Sequence, residues 1–177
     1  MGLMIIITNK NRNEVREMFV VGDRVVYPMY GAGEIEDIEK KEIDGEEKDY
    51  YVINIPNGSL KIRISVNKAD SLGLRHISDV RFIEKSMKDV SLTPVEMHDN
   101  WNQRYKVNME KMKTGKLIEV ATVVRNLLVR ENEKGLSGAE KKMLNNARQI
   151  VLSEIIYAKS MEKEAAEKFM AESLFSK

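Results

Sequence analysis

The single tryptophan of the chain, Trp101, lies in the run DNWNQRYKVNMEKMKTGK, followed by Arg104, Tyr105, Lys106, Lys111, Lys113 and Lys116. A large apolar ring among cations has the composition of a wedge that pries at a base step from the minor groove. Arg104, Lys106, Lys141, Lys142 and Arg148 could then neutralise phosphates, which carry most DNA affinity. No base-reading code accompanies them, so such binding would depend only weakly on sequence. A competing reading is equally physical. Met97, Trp101, Tyr105, Met109 and Met112 recur at helical spacing, and large aromatics at such spacing usually fill a core. On composition alone core is favoured over wedge, and the lysines and arginines simply keep an outer face wet.

Residue types for catalysis are sparse. His76 and His98 stand apart with no ligand spacing around them, so each reads as an ordinary polar residue. Gly31-Ala32-Gly33 lacks the third glycine of a dinucleotide loop and opens no helix. The carboxylates between Glu34 and Asp49 suit a solvated hairpin face, and no nucleophile stands beside a base. With no cysteine, disulfides and thiolate metal sites are excluded. The expectation is a binding protein, not an enzyme, with no metal, cofactor or small-molecule substrate.

The charge is divided along the chain. Residues 18–90 carry 11 basic and 14 acidic side chains, whereas residues 101–150 carry 11 basic and 5 acidic. The net charges, −3 and +6, suggest two parts with different partners, the second of them DNA. No apolar stretch approaches the length of a membrane span. The apolar run Leu3 to Ile7 has no preceding basic residue and no cleavage site, so it fails as a signal peptide. A cytoplasmic protein is expected.

The elements that would position these residues fall into two kinds. Residues 19–66 read as short strands: Arg24 to Tyr27, ended by Pro28; a bend at Gly31-Ala32-Gly33; Glu34 to Ile43; a hairpin turn at Asp44-Gly45; Asp49 to Ile55; a second turn at Asn57-Gly58; and Leu60 to Ile64. In the last strand Leu60, Ile62 and Ile64 face one side and Lys61 and Arg63 the other. At the edge of a sheet it would offer a partner unpaired backbone groups. Residues 65–90 read as a connector with a short helix after Ser78. Thr93-Pro94-Val95-Glu96 has the form of a capping box with proline at the first helical position, predicting a helix from there to about Lys113, stopped near Gly115. Leu117, Val120, Val124, Leu127 and Leu128 line a second helix ended by Gly135. Ser137-Gly138-Ala139-Glu140 caps a third, with Met143, Leu144, Ala147, Val151 and Ile155 inward. The tail from Ser160 to Phe175 is polar and helix-prone, and prone to fray. The division is an extension (1–17), a β module (18–68), a connector (69–92) and a helical domain (93–177).

Two stretches resemble a known family. FVVGDRVVYPMYGAGEIEDIEKKEIDGEEKDYYVI with INIPNGSLKIRI is similar to the N-terminal module of the CarD/CdnL transcription regulators, a module also found in transcription-repair coupling factors. NWNQRYKVNMEKMKTGKLIEVATVVRNL with RENEKGLSGAEKKMLNNARQIVLSEI resembles the C-terminal domain of CarD/CdnL alone. The likeness spans roughly residues 18–160, and helicase motifs are absent. It implies an α+β protein: a Tudor-like, bent antiparallel β module that docks on the RNA polymerase β subunit, then an all-α helical domain that meets promoter DNA at the upstream edge of the bubble. It also implies that Trp101 is the residue that wedges into the minor groove, reversing the reading of it as core. Arg104, Lys106 and Lys141 match basic positions of the DNA face, and Arg63 and Lys41, with Lys61 beside them, match the polymerase face. Gln103 stands where some members have arginine, and lysine at position 41 is a less directional donor than arginine.

Two alternatives stay open at this point: an architectural DNA-binding protein that needs no polymerase, and a protein-interaction adaptor without DNA contact. The family's chains begin near Met18, so residues 1–17 are expected to be a dispensable extension. A chain starting at Met18 should melt and bind polymerase like the full chain, as calorimetry and pull-down would show. A clear loss of either would mean that the extension packs on the domain.

Overall fold

Asp44 and Gly45 both adopt positive φ, 55° and 78°, as a two-residue hairpin that matches strand twist requires. This turn joins β2 (Gly31–Ile43) to β3 (Glu46–Ile55), and β3 pairs in turn with β4 (Leu60–Ser65). With β1 (Arg24–Tyr27) and β5 (Arg75–His76) they form one antiparallel sheet, in the order β4-β3-β2-β1-β5. The computed structural model describes residues 18–56 and 58–175. The expected extension at 1–17 and the turn residue Asn57 lie outside the described residues. A bulge between Ile35 and Asp37 interrupts the β2–β3 register and bends the sheet. Its concave side buries Val25, Ile35, Tyr51, Ile53, Ile55 and Ile64. Phe19 closes this core. Its backbone N–H donates to the Tyr51 hydroxyl (3.1 Å), and its ring lies edge-on to Tyr51 and tilted against His76.

Gly31-Ala32-Gly33 is not a bend but the first part of β2. Glycine is needed at 33 because a Cβ there would come within 2.5 Å of the Asn54 carbonyl oxygen. The reversal lies earlier, at Pro28-Met29, where Tyr30 N donates to Tyr27 O and Met29 takes φ 71°.

Among the described residues five α-helices follow: α1 (Val80–Leu92), α2 (Trp101–Lys113), α3 (Leu117–Lys134), α4 (Gly138–Lys159) and α5 (Lys163–Leu174). The expected connector is no linker. Its first part supplies β5, which pairs with β1, and its second part is α1, whose Ile83, Met87 and Val90 join the helical core. Nor is the tail frayed, since α5 buries Ala166, Met170 and Leu174. The start expected at Thr93 is also corrected. Thr93 ends α1: its N–H donates to Asp89 O and Val90 O, and its hydroxyl to Asp89 O. Pro94, which cannot extend that ladder, begins an irregular stretch, and α2 starts at Trp101 with Asn100 as its cap.

The sheet and helices meet along α4. Ala32 N donates to Ser153 Oγ (2.8 Å), Arg24 Nη1 to Tyr157 O (2.9 Å) and Asn146 Nδ2 to Met29 O (3.4 Å). Met29 packs against the helical core, which explains methionine at a positive-φ position where glycine is the usual choice. At the centre is Glu154, buried at 1% exposure. It accepts from both terminal nitrogens of Arg75 (2.7 and 2.8 Å) and from Ser78 N (2.9 Å), while Arg75 also donates to Gly115 O. Replacing one member of a buried pair strands the other charge, at a cost of about 3–5 kcal/mol. Arg75→Met should therefore lower stability by about that amount in denaturant melts. A loss of less than 1 kcal/mol would mean the pair is dispensable.

Candidate nucleic-acid interface and docking face

Asn100 caps α2 by accepting from Gln103 N (3.2 Å), so Trp101 is the first helical residue. It is 51% exposed and meets Tyr105 edge-on at 6.4 Å. Of the stripe that sequence spacing assigned to a core, Met112 alone is fully buried; Tyr105 and Met109 pack against the core from its margin. The stripe thus leaves the core as α2 runs back to its N-terminus, and Trp101 stands outside it.

Arg104 differs from the other candidate cations. It is 3% exposed, with Nε 2.6 Å from Glu140 Oε1 and Nη1 donating to His98 O and Asp99 O. Nε and Nη1 are engaged inside the protein and the side chain is buried, so its placement does not match the expectation that it meets phosphate at the surface. The sequence could not distinguish a cation beside Trp101 that faces solvent from one that faces α4. Glu140 is itself the carboxylate of the α4 capping box, accepting from Ser137 N (3.0 Å) while Ser137 Oγ accepts from Glu140 N. The bridge ties the first turn of α2 to the first turn of α4. Trp101, one turn before Arg104, and Lys141, next to Glu140, therefore lie at the same end of the helical domain.

Lys106, Lys141 and Lys142 are exposed and Arg148 is half-buried. Among the described residues none of these four is held in an ion pair. Lys141 and Arg148 are seven residues apart and share a stripe of α4. Lys106 sits about 140° around α2 from Trp101 and does not share its face. Lys134, 3.5 Å from Asp99 Oδ1, adds a partly neutralised cation near the same end.

The stretch before α2 is held by groups that sequence reading missed. Arg125 on α3 donates to Thr93 O (2.5 Å) and Ser91 O (3.0 Å), and Asn126 Nδ2 approaches Glu96 O at 3.5 Å. Together with Arg104 they satisfy carbonyls that an irregular segment leaves without helical partners. The available signal was the polar pair Arg125-Asn126 inside the otherwise apolar VATVVRNLLV.

On the β module, β4 is an edge strand and presents Lys61 and Arg63 outward. Both carry internal counterions. Arg63 donates to both carboxylate oxygens of Glu39 (2.9 and 3.2 Å), Lys41 Nζ lies 3.8 Å from Glu39, and Lys61 Nζ lies 2.9 Å from Glu36. Hydrogen bonds from Arg63 hold the Glu39 carboxyl below its ordinary pKa and raise that of the guanidinium.

With this geometry in place, the comparisons define the class. Residues 19–78 match the model of the CarD-like/TRCF RID domain, and residues 86–171 match that of the CarD C-terminal domain. The chain is also 38% identical over 152 residues to the Bacillus subtilis (strain 168) protein named "Putative transcription factor YdeB", covering 86% of this chain and 99% of that one. The chain belongs to the CarD family of transcription regulators.

Glu140 makes the frame sensitive to pH. Burial alone would raise its pKa, but hydrogen bonds from Arg104 and Ser137 and the Arg104 charge outweigh burial, and the net shift is downward from 4.5. A carboxyl whose folded pKa is depressed adds stability above its unfolded value and loses it as pH falls through the folded one. Glu140→Gln should cost about 3–5 kcal/mol near neutrality, because Arg104 stays buried and charged. The gap between the two proteins in denaturant melts should narrow as pH drops below about 4. A gap independent of pH would show that the carboxylate charge is not what secures the bridge.

Proposed function

We propose that this transcription regulator acts without catalysis, by docking its β module on the RNA polymerase β subunit and contacting promoter DNA at the upstream edge of the bubble. Trp101 enters the distorted minor groove, Lys141, Lys142 and Arg148 neutralise phosphates near it, and Lys106 contributes from another face of α2. Arg63, Lys41 and Lys61 form the polymerase face. The observation that carries this reading is the exposed Trp101 at the start of α2, on a frame fixed by the buried Arg104–Glu140 bridge. The match to a domain shared with TRCF supports a polymerase partner. On this reading the protein works in the cytoplasm, associated with the nucleoid through polymerase.

The mechanism needs only differential affinity. A group that binds an unstacked base step better than a stacked one stabilises the open promoter by that difference. Tethering to polymerase raises its effective concentration at the bubble, so weak DNA contacts suffice. The four cations supply binding that does not depend on sequence.

Trp101→Ala should shorten open-complex lifetime through a loss of about 1–3 kcal/mol of stabilisation, the scale of one stacking contact, while melting and polymerase binding stay unchanged. Arg63→Glu should abolish polymerase binding and, with it, the effect on open complexes. Lys142→Glu should weaken the DNA effect but spare polymerase binding. A Trp101→Ala protein destabilised by about 3–5 kcal/mol would mark a core tryptophan. Full open-complex activity in Arg63→Glu would favour DNA binding without polymerase.

A further inference from the structure

Two of the three cations of the docking face, Arg63 and Lys41, meet at one carboxylate of their own chain, Glu39, while Lys61 pairs with Glu36. Glu39 accepts two hydrogen bonds from Arg63 and lies 3.8 Å from Lys41 Nζ, and the Lys61 charge acts on it as well. Arg63 reaches it across a strand: Arg63 is in register with Val52 on β3, and Glu39 with Tyr50 two residues along. Val52 shares the outer face with Arg63, opposite the Ile53 and Ile55 side that builds the module core. It is nevertheless only 3% exposed. The guanidinium reaches across β3 to hold Glu39 at two points, while the Arg63 side chain remains 45% exposed. Among the described residues Lys106, Lys141, Lys142 and Arg148 of the helical domain have no such ion pair, although Lys134 at that end is paired with Asp99.

We propose that Glu39 is an internal stand-in for an acidic side chain of the docking partner. In the free protein it holds Arg63 in the forked geometry that a carboxylate demands and screens it from other anions. On docking, the partner's carboxylate takes over Arg63, and Glu39 is released. The exchange is feasible because an exposed ion pair is only weakly favourable in water. It also serves specificity: a face that is neutralised at rest does not compete for DNA phosphates, whereas a partner offering a well-placed carboxylate recovers the full interaction. The inference rests on the reading that this face docks on polymerase, and it adds that docking affinity is held below what the cations alone would give.

The test is binding of Glu39→Gln to core RNA polymerase, which keeps the side-chain shape and removes the competing charge. Affinity should rise about two- to five-fold, the range of an exposed ion pair, with a steeper decline in added salt. Glu42→Gln makes the same charge change on the opposite face of β2 and should bind like the unaltered protein. Unchanged or weaker binding by Glu39→Gln, with normal binding by the unaltered chain, would overturn this proposal alone. Failure of the unaltered chain to bind core polymerase would overturn the docking reading and this proposal with it.

Discussion

Glu154 is the point on which the arrangement of the two halves depends. A carboxylate at 1% exposure would be costly without partners, because desolvation of a charge outweighs most single contacts. Here it receives three hydrogen bonds from the sheet side, two from Arg75 and one from Ser78. Arg75 belongs to β5, which pairs with β1, and its Nε and Nη2 also donate to the Gly115 carbonyl between α2 and α3. One arginine thus touches the sheet, α4 and the α2–α3 turn together. Such a cluster is directional in a way that apolar packing is not: a rotation of one half against the other would strand a buried charge.

The same helix repeats the device at its other end. Glu140 and Glu154 are fourteen residues apart on α4, about 21 Å along the axis. Each is buried and each pairs with an arginine from another element. One fixes α4 to the sheet and the other fixes α4 to the start of α2. In the proposed role, a docking face on β4 and a tryptophan on α2 must act at a set separation, and these two pairs define the path between them. An exposed tryptophan on a secured helix start also has little conformational freedom left to lose on binding.

Local chemistry in the sequence identified what local chemistry determines. Asp44-Gly45, the Ser137–Glu140 capping box and the apolar stripes of α3 and α4 were legible because each is decided within a few residues. The failures are cases where a distant group decides. Thr93-Pro94-Val95-Glu96 has the residues of a helix start, yet the helix before it claims Thr93, and Arg125 from α3 bonds its carbonyl. Gly31 to Gly33 looked like a bend because the demand for glycine at 33 comes from Asn54 on another strand. Arg104 looked like its basic neighbours, because nothing local says which cation turns toward Glu140. The edge position of Leu60 to Ile64 was left open by the alternation and is decided by strand order.

The two candidate surfaces differ most in how their charge is balanced, and this bears on how they would work together. In the helical domain, Lys106, Lys141, Lys142 and Arg148 are held by no ion pair among the described residues. On β4, Arg63 and Lys61 have carboxylates at 2.9 Å. Unneutralised cations act at a distance and attract any polyanion, with strong dependence on salt. Neutralised ones act only at contact, on a partner whose geometry displaces the internal acid. A regulator that must sit at one place on one large complex gains from this division. In the proposed role its docking surface would ignore DNA, and its DNA surface would be too weakly selective to localise it alone. Position would then come from the first surface, and the effect on the duplex from the second. In that proposed role Trp101 would add the contact whose strength depends on whether the base step is stacked or open.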